Sequence, residues 1–90
     1  MIEKTFVVTT KLGIHARPAL ELVNIAAKSK SDIKVSSNNQ KVDMKSIMGL
    51  MSLGMYNGQH FTLIIEGEDE KETINSLTKH LIDNNLANII

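Results

Sequence analysis

Gly13-Ile14-His15-Ala16-Arg17-Pro18-Ala19 is the stretch on which the fold reading turns. Ala19, Leu22, Val23 and Ala26 follow the helical spacing i, i+3, i+4 and i+7, so one apolar helix face begins here. Pro18 suits a first helical turn, where a missing N–H is no loss. Gly13 supplies a sharp turn out of whatever precedes the helix. His15 therefore stands at or beside the N-cap. The free amides of the first turn, the positive end of the helix dipole and the Arg17 guanidinium converge near its ring. That is an anion site built around a nucleophilic nitrogen. A single histidine before a helix reads as a solvent-exposed cap, and a single arginine as surface charge. Three residues suited to one chemistry within positions 15–18 outweigh that reading.

Working outward, Thr5 to Thr9 alternates, with Phe6 and Val8 on one face, and predicts a strand. The loop Thr10-Lys11-Leu12-Gly13 joins it to a first helix from about Ala16 to Lys28. Ser29-Lys30-Ser31-Asp32 breaks that helix. Ile33 and Val35 mark a second strand; Val42, with Met44 as a possible member, marks a third. Ser37-Asn38-Asn39-Gln40 between them predicts a hairpin turn, because Asn tolerates positive φ. Ile47 to Leu53 reads as a short helix stopped at Gly54 and weakened by Gly49. Tyr56-Asn57-Gly58-Gln59 is a turn. Phe61, Leu63 and Ile65 alternate in a fourth strand. Asp69 with Glu72 resembles a capping box opening a last helix, whose core stripe is Ile74, Leu77 and Leu81. The order β-α-β-β-α-β-α with alternating strands predicts an α+β fold: a largely antiparallel sheet with helices on one face.

Ninety residues make one small domain, residues 1–90. There is no cysteine, which removes disulfides and thiolate chemistry. Ten basic and ten acidic residues cancel, and only three residues are aromatic, so nothing draws the chain to nucleic acid. Met1-Ile2-Glu3-Lys4 does not open a signal peptide, and no run suits a membrane span. The expected partners are proteins or small molecules. His60 and His80 have no companion at metal-ligand spacing and read as structural or surface residues, so no metal and no cofactor are expected.

A second stretch, Lys45-Ser46-Ile47-Met48-Gly49-Leu50-Met51-Ser52-Leu53-Gly54, places Ser46 at a helix start. Serine is a preferred N-cap, which by itself explains the residue. A phosphate there is also tolerated or favoured by the dipole. The apolar residues of so short a helix cannot all point inward. Leu50 and Leu53 are expected in the core. Ile47, Met48 and Met51 are expected in an exposed patch, extended towards His15 by Leu20; methionines suit a surface that docks several partners.

The two stretches resemble the phosphorylation site and the regulatory serine site of HPr, the histidine-containing phosphocarrier family of the sugar phosphotransferase system. Their spacing, the chain length and the element order match over nearly all 90 residues. The resemblance implies a four-stranded open-faced β-sandwich with strand order 1-4-2-3 and three helices on one face. It implies a cytoplasmic, monomeric carrier that takes a phosphoryl group from phospho-enzyme I onto His15 and passes it to sugar-specific enzyme IIA domains. Arg17 and the backbone amide of Ala16 would hold the phosphoryl group, and Nδ1 would be the reacting nitrogen; the residues alone do not choose between Nδ1 and Nε2. Ser46 matches the target of the HPr kinase/phosphorylase in Gram-positive-type relatives, with a catabolite control protein as a further partner. Leu20, Ile47, Met48 and Met51 match the docking surface.

Two departures stand out. Asn24 and Ala27 lie where many relatives carry lysine, and the tail Leu86-Ala87-Asn88-Ile89-Ile90 is unusually apolar. Three other functions compete. A purely regulatory co-repressor is disfavoured because regulatory paralogues lack the active histidine, which is present here. A nitrogen-branch paralogue is less similar in the Ser46 helix. An enzyme with His15 as general base lacks a visible second catalytic group.

Overall fold

Side chains alternate across a strand, so a sheet with one apolar alternation buries one face and leaves the other to solvent. A computed structural model, which describes residues Met1 to Ile90, shows this arrangement. The elements are β1 (Ile2–Val8), α1 (Ala16–Ala27), β2 (Asp32–Ser37), β3 (Gln40–Asp43), α2 (Ile47–Ser52), β4 (His60–Glu66), α3 (Glu70–Asp83) and β5 (Ala87–Ile89). The sheet order is β3-β2-β4-β1-β5, with every pairing antiparallel. Phe6 lies opposite Phe61, and their rings stack with centroids 5.3 Å apart. Both belong to a continuous core that also takes in Leu22 of α1, Leu50 of α2 and Leu77 of α3. All three helices thus cover the same alternation of the strands.

The four expected strands pair in the expected order. The hairpin turn also follows: Asn38 and Asn39 both have positive φ, 52° and 64°. The strand count is corrected, because the tail forms a fifth strand. Asn85, at φ 56°, turns the chain at the end of α3, and the Leu86 N–H donates to the Leu81 carbonyl at 2.8 Å. Leu86 and Ala87 are buried, and β5 pairs with the outer edge of β1, Val8 opposite Ala87 and Phe6 opposite Ile89. Three residues are too few for a periodicity to register, so only the vacant edge of β1 makes this strand. β1 itself begins at Ile2 rather than Thr5, because Ile2, Glu3 and Lys4 pair with Ile65, Ile64 and Leu63 through their backbones. Met44 lies just past β3 but is wholly buried, its N–H donating to the Ile33 carbonyl.

The capping box at Asp69 is also corrected. Asp69 holds the N-cap position of α3, yet its side chain makes no cap bond. Its carboxylate instead accepts from the Ser29 hydroxyl at 2.9 Å, the Lys30 N–H at 2.9 Å and the Ser31 hydroxyl. Thr73 adds a hydroxyl bond to Ser29 Oγ at 2.8 Å. The start of α3 is thereby tied to the turn between α1 and β2. Glu70 does part of the expected capping, accepting from the Gly67 N–H at 3.1 Å.

These donors favour the charged carboxylate, the Ser31 hydroxyl most, and hold Asp69 well below its ordinary value of 3.8. A depressed folded-state pKa gives stability that is complete at neutral pH and fades as the pH falls below the unfolded value. The Gly67 amide and the Met1 ammonium lower Glu70 in the same direction. Asp69→Asn is therefore expected to lower the melting temperature at neutral pH and to flatten its decline through the carboxylate range, leaving the residual slope from Glu70. Thermal melts followed by circular dichroism across that range check this; an unchanged acid slope would contradict it.

Candidate functional site

His15 is presented by a pinned loop. Gly13 has φ +75°, and a Cβ built on it would lie 2.7 Å from the Met55 carbonyl oxygen. That same oxygen accepts from the Ile14 N–H at 2.8 Å, and the Ile14 side chain is buried. Upstream, the Thr9 and Thr10 N–H groups donate to the Leu86 carbonyl. The Asn57 amide donates to the Thr9 and Thr10 carbonyls at 3.1 and 3.2 Å. Downstream, Ala19, Leu22, Val23 and Ala26 bury the inner face of α1, as their spacing predicts. Between these anchors the chain turns outward at His15.

His15 is the N-cap of α1, with extended backbone (φ −89°, ψ −167°) and an exposed side chain that makes no cap bond. Its ring has no hydrogen-bond partner within the protein, so both nitrogens are available. Its carbonyl accepts the first helical bond, from the Ala19 N–H at 3.0 Å. Pro18 has no N–H to donate. The amides of Ala16 and Arg17 therefore remain as unpartnered donors beside the imidazole. Arg17 is exposed and pairs with no carboxylate. A neutral imidazole is a competent nucleophile. Two amides, a helix dipole and a guanidinium next to it suit an anion bound to that ring.

Ser46 is exposed and is the N-cap of α2, its Oγ accepting from the Gly49 N–H at 3.1 Å. Lys45, next to it, reaches back to the Ser29 carbonyl at 2.9 Å. Leu50 and Leu53 are buried, as expected. Of the proposed patch, Met48 is 81% exposed, Leu20 50% and Met51 41%. Ile47 is half-buried against the core instead of lying fully on the surface. Helices α1 and α2 pack together, so these residues stand on neighbouring elements. Leu12 and Tyr56, also strongly exposed, flank the His15 loop; an isolated apolar residue in a loop carries no periodicity to mark it in the sequence.

His60 opens β4 on the surface, and His80 Nε2 lies 3.2 Å from Glu21 Oε1 across α1 and α3. No group of three or more His, Asp or Glu side chains is placed to hold a metal ion. No helix is long and apolar enough to cross a membrane. A surface groove lies between α1 and α3, beside Ser29 and Asp69, at the far end of α1 from His15.

Residues 2–83 match the family described as PTS HPr component phosphorylation site. Among solved structures, the histidine-containing phosphocarrier protein of Mycoplasma superposes with a TM-score of 0.91 at 32% identity, covering 94% of this chain and 97% of that one. HPr-C-His from Thermoanaerobacter tengcongensis gives 0.87 at 46% identity, with 94% of each chain covered. The catabolite repression protein Crh of Bacillus subtilis, solved as a swapped dimer, gives 0.71 at 42% identity, covering 84% and 87%.

The pinning of the loop is open to test through two glycines of similar backbone. Gly13→Ala meets both the left-handed conformation and the Met55 carbonyl, whereas a Cβ at Gly58, φ +86°, meets nothing within 4 Å. Gly58→Ala should cost about 1–2 kcal/mol from conformation alone, and Gly13→Ala clearly more. Urea denaturation of the two variants decides; equal losses would mean that the contact with Met55 is unimportant.

Proposed function

Because the chain belongs to the HPr phosphocarrier family of the phosphotransferase system, we propose that it accepts a phosphoryl group from phospho-enzyme I on His15 and hands it to enzyme IIA domains. The observation that carries this reading is the free imidazole at the N-cap of α1, beside the unpartnered amides of Ala16 and Arg17. The imidazole nitrogen, Nδ1 by family resemblance, attacks phosphorus as the bond to the donor breaks. In such a transfer the protein's work is positioning and charge balance. The amides of Ala16 and Arg17 and the Arg17 guanidinium hold the phosphoryl oxygens. The resulting phosphoramidate stays reactive, which a relay needs and a serine ester would not offer. Pro18 stiffens the turn. The chain turns over no substrate of its own and works in the cytoplasm.

Ser46 is proposed as the regulatory site, phosphorylated by an HPr kinase/phosphorylase. The similarity to Crh supports a link to catabolite repression through a catabolite control protein. Enzyme I and IIA domains dock on Leu20, Met48 and Met51, with Ile47 contributing its exposed edge. A phosphate at Ser46 puts about −1.5 to −2 charges beside that surface. A partner that covers the surface then desolvates an unpaired charge, which is costly. The carrier acts as a monomer in this reading. The swapped Crh dimer makes sedimentation of the purified chain the direct check on that point.

Incubation with enzyme I and phosphoenolpyruvate is expected to add one acid-labile phosphate, and His15→Ala to abolish it without loss of fold. Full labelling of that variant would refute the assignment. Arg17→Ala should slow transfer, by up to about 10³-fold, without ending it; unchanged rates would make Arg17 a bystander.

Ser46→Asp should weaken binding to enzyme I, measured by calorimetry. Ser46→Ala should keep that affinity while losing about 1 kcal/mol of stability with its cap bond to Gly49. Equal affinity across the wild type and both variants would leave Ser46 as a helix cap alone.

A further inference from the structure

Only one glycine in the chain follows an asparagine, in Asn57-Gly58. Such a pair brings a side-chain amide next to a backbone nitrogen that no Cβ shields. Here the fold occupies both reacting groups. The Gly58 N–H donates to the Val8 carbonyl at 2.8 Å. The Asn57 amide nitrogen is shared between the Thr9 and Thr10 carbonyls. The same turn is closed by the Gln59 N–H on the Tyr56 carbonyl at 3.0 Å. The side chain is nevertheless at the surface, within reach of water.

We propose that Asn57 is a site of spontaneous deamidation, gated by opening of the Tyr56–Gln59 turn, and that the product releases the loop that seats His15. When the turn opens, the Gly58 nitrogen gives its proton to solvent base and attacks Cγ of Asn57. The new N–C bond closes a succinimide, the Cγ–Nδ2 bond breaks, and the side-chain nitrogen leaves as ammonia after taking a proton from water. Water then adds to either imide carbonyl and opens the ring to aspartate or isoaspartate. Nothing is oxidised or reduced, and solvent supplies every co-reactant.

The product cannot restore the closed turn. An ionised carboxylate only accepts hydrogen bonds, and the groups that face position 57 are two carbonyl oxygens, which also only accept. Two hydrogen bonds are replaced by repulsion, so the turn cannot re-close on Thr9 and Thr10. Gly13, whose N–H donates to the Thr10 carbonyl at 3.1 Å, is the next residue to feel the change. The other asparagines do not share this combination: Asn24 and Asn75 lie inside helices, and none of the remainder precedes a glycine.

The test has two arms, neither of which reads phosphoryl transfer, so it stands or falls apart from the function proposed above. The unsubstituted chain is aged at mildly alkaline pH, folded and in urea, then digested and mapped by mass spectrometry with isoaspartyl methyltransferase labelling. Modification is expected to concentrate at Asn57 and to run more slowly in the folded protein. Modification spread evenly over the asparagines, or equal rates folded and unfolded, would overturn the proposal. In the second arm, Asn57→Asp is compared with wild type by amide hydrogen exchange. Exchange at Gly13 is expected to rise roughly thirtyfold, the effect of losing two hydrogen bonds, with α3 unaffected. Unchanged exchange at Gly13 in the folded variant would overturn the claim that the product frees the loop. The mapping arm does not depend on that variant folding.

Discussion

The fold depends on the buried inner face of α1, which packs against α3 and α2 and closes the common core. Ala19 and Ala26 have no exposed surface, and Leu22 and Val23 fill the space between them. Small residues at both ends of the stripe let the helix approach closely; a larger side chain at either would lift it off. Burying each of the large apolar side chains beneath is worth about 1.5–3 kcal/mol, which offsets part of the entropy of ordering the chain. Because the inner face is held so firmly, the first turn can leave its amides and its histidine unpaired without cost to the fold.

The two ends of α1 are handled in opposite ways. At its C-terminal end the polar groups are gathered and satisfied. Asp69 accepts from Ser29, Lys30 and Ser31, Thr73 donates to Ser29, and Lys45 caps the Ser29 carbonyl. A fully connected polar network of this kind rigidifies and specifies one arrangement. At its N-terminal end the opposite holds. The backbone carbonyls of Met55 and Leu86 and the side-chain amide of Asn57 fix the loop, while His15 and Arg17 carry no protein partner. The role proposed for His15 needs both: a frame that does not yield and a side chain that is not already engaged.

The strongly patterned elements were legible in advance. The α1 stripe, the β4 alternation, the Asn38-Asn39 turn and the stop at Gly54 are written in local residues and appear where expected. The places that misled are those where a polar or short segment finds its partner far along the chain. Glu3 and Lys4 hide the start of β1, because backbone pairing with β4 asks nothing of side chains. Asp69 has the look of a cap, yet donors nearly forty residues earlier outcompete its own helix. Ile47 reads as surface on its own helix and turns partly into the core once α2 packs near β3.

The start of the helix that displays His15 and Arg17 is written in local residues, because capping, proline placement and apolar period act over a few neighbours. Which strand faces are apolar is written there too. Long-range packing alone makes the tail a fifth strand on the free edge of β1, sets the seat of His15 with the Met55 carbonyl, and brings Asn57 to the Thr9–Thr10 backbone. Each of these depends on backbone groups brought together across some 40 to 80 residues of chain. A carbonyl or an N–H looks the same in every residue, so such partnerships leave no mark on a sequence until the core has assembled around them.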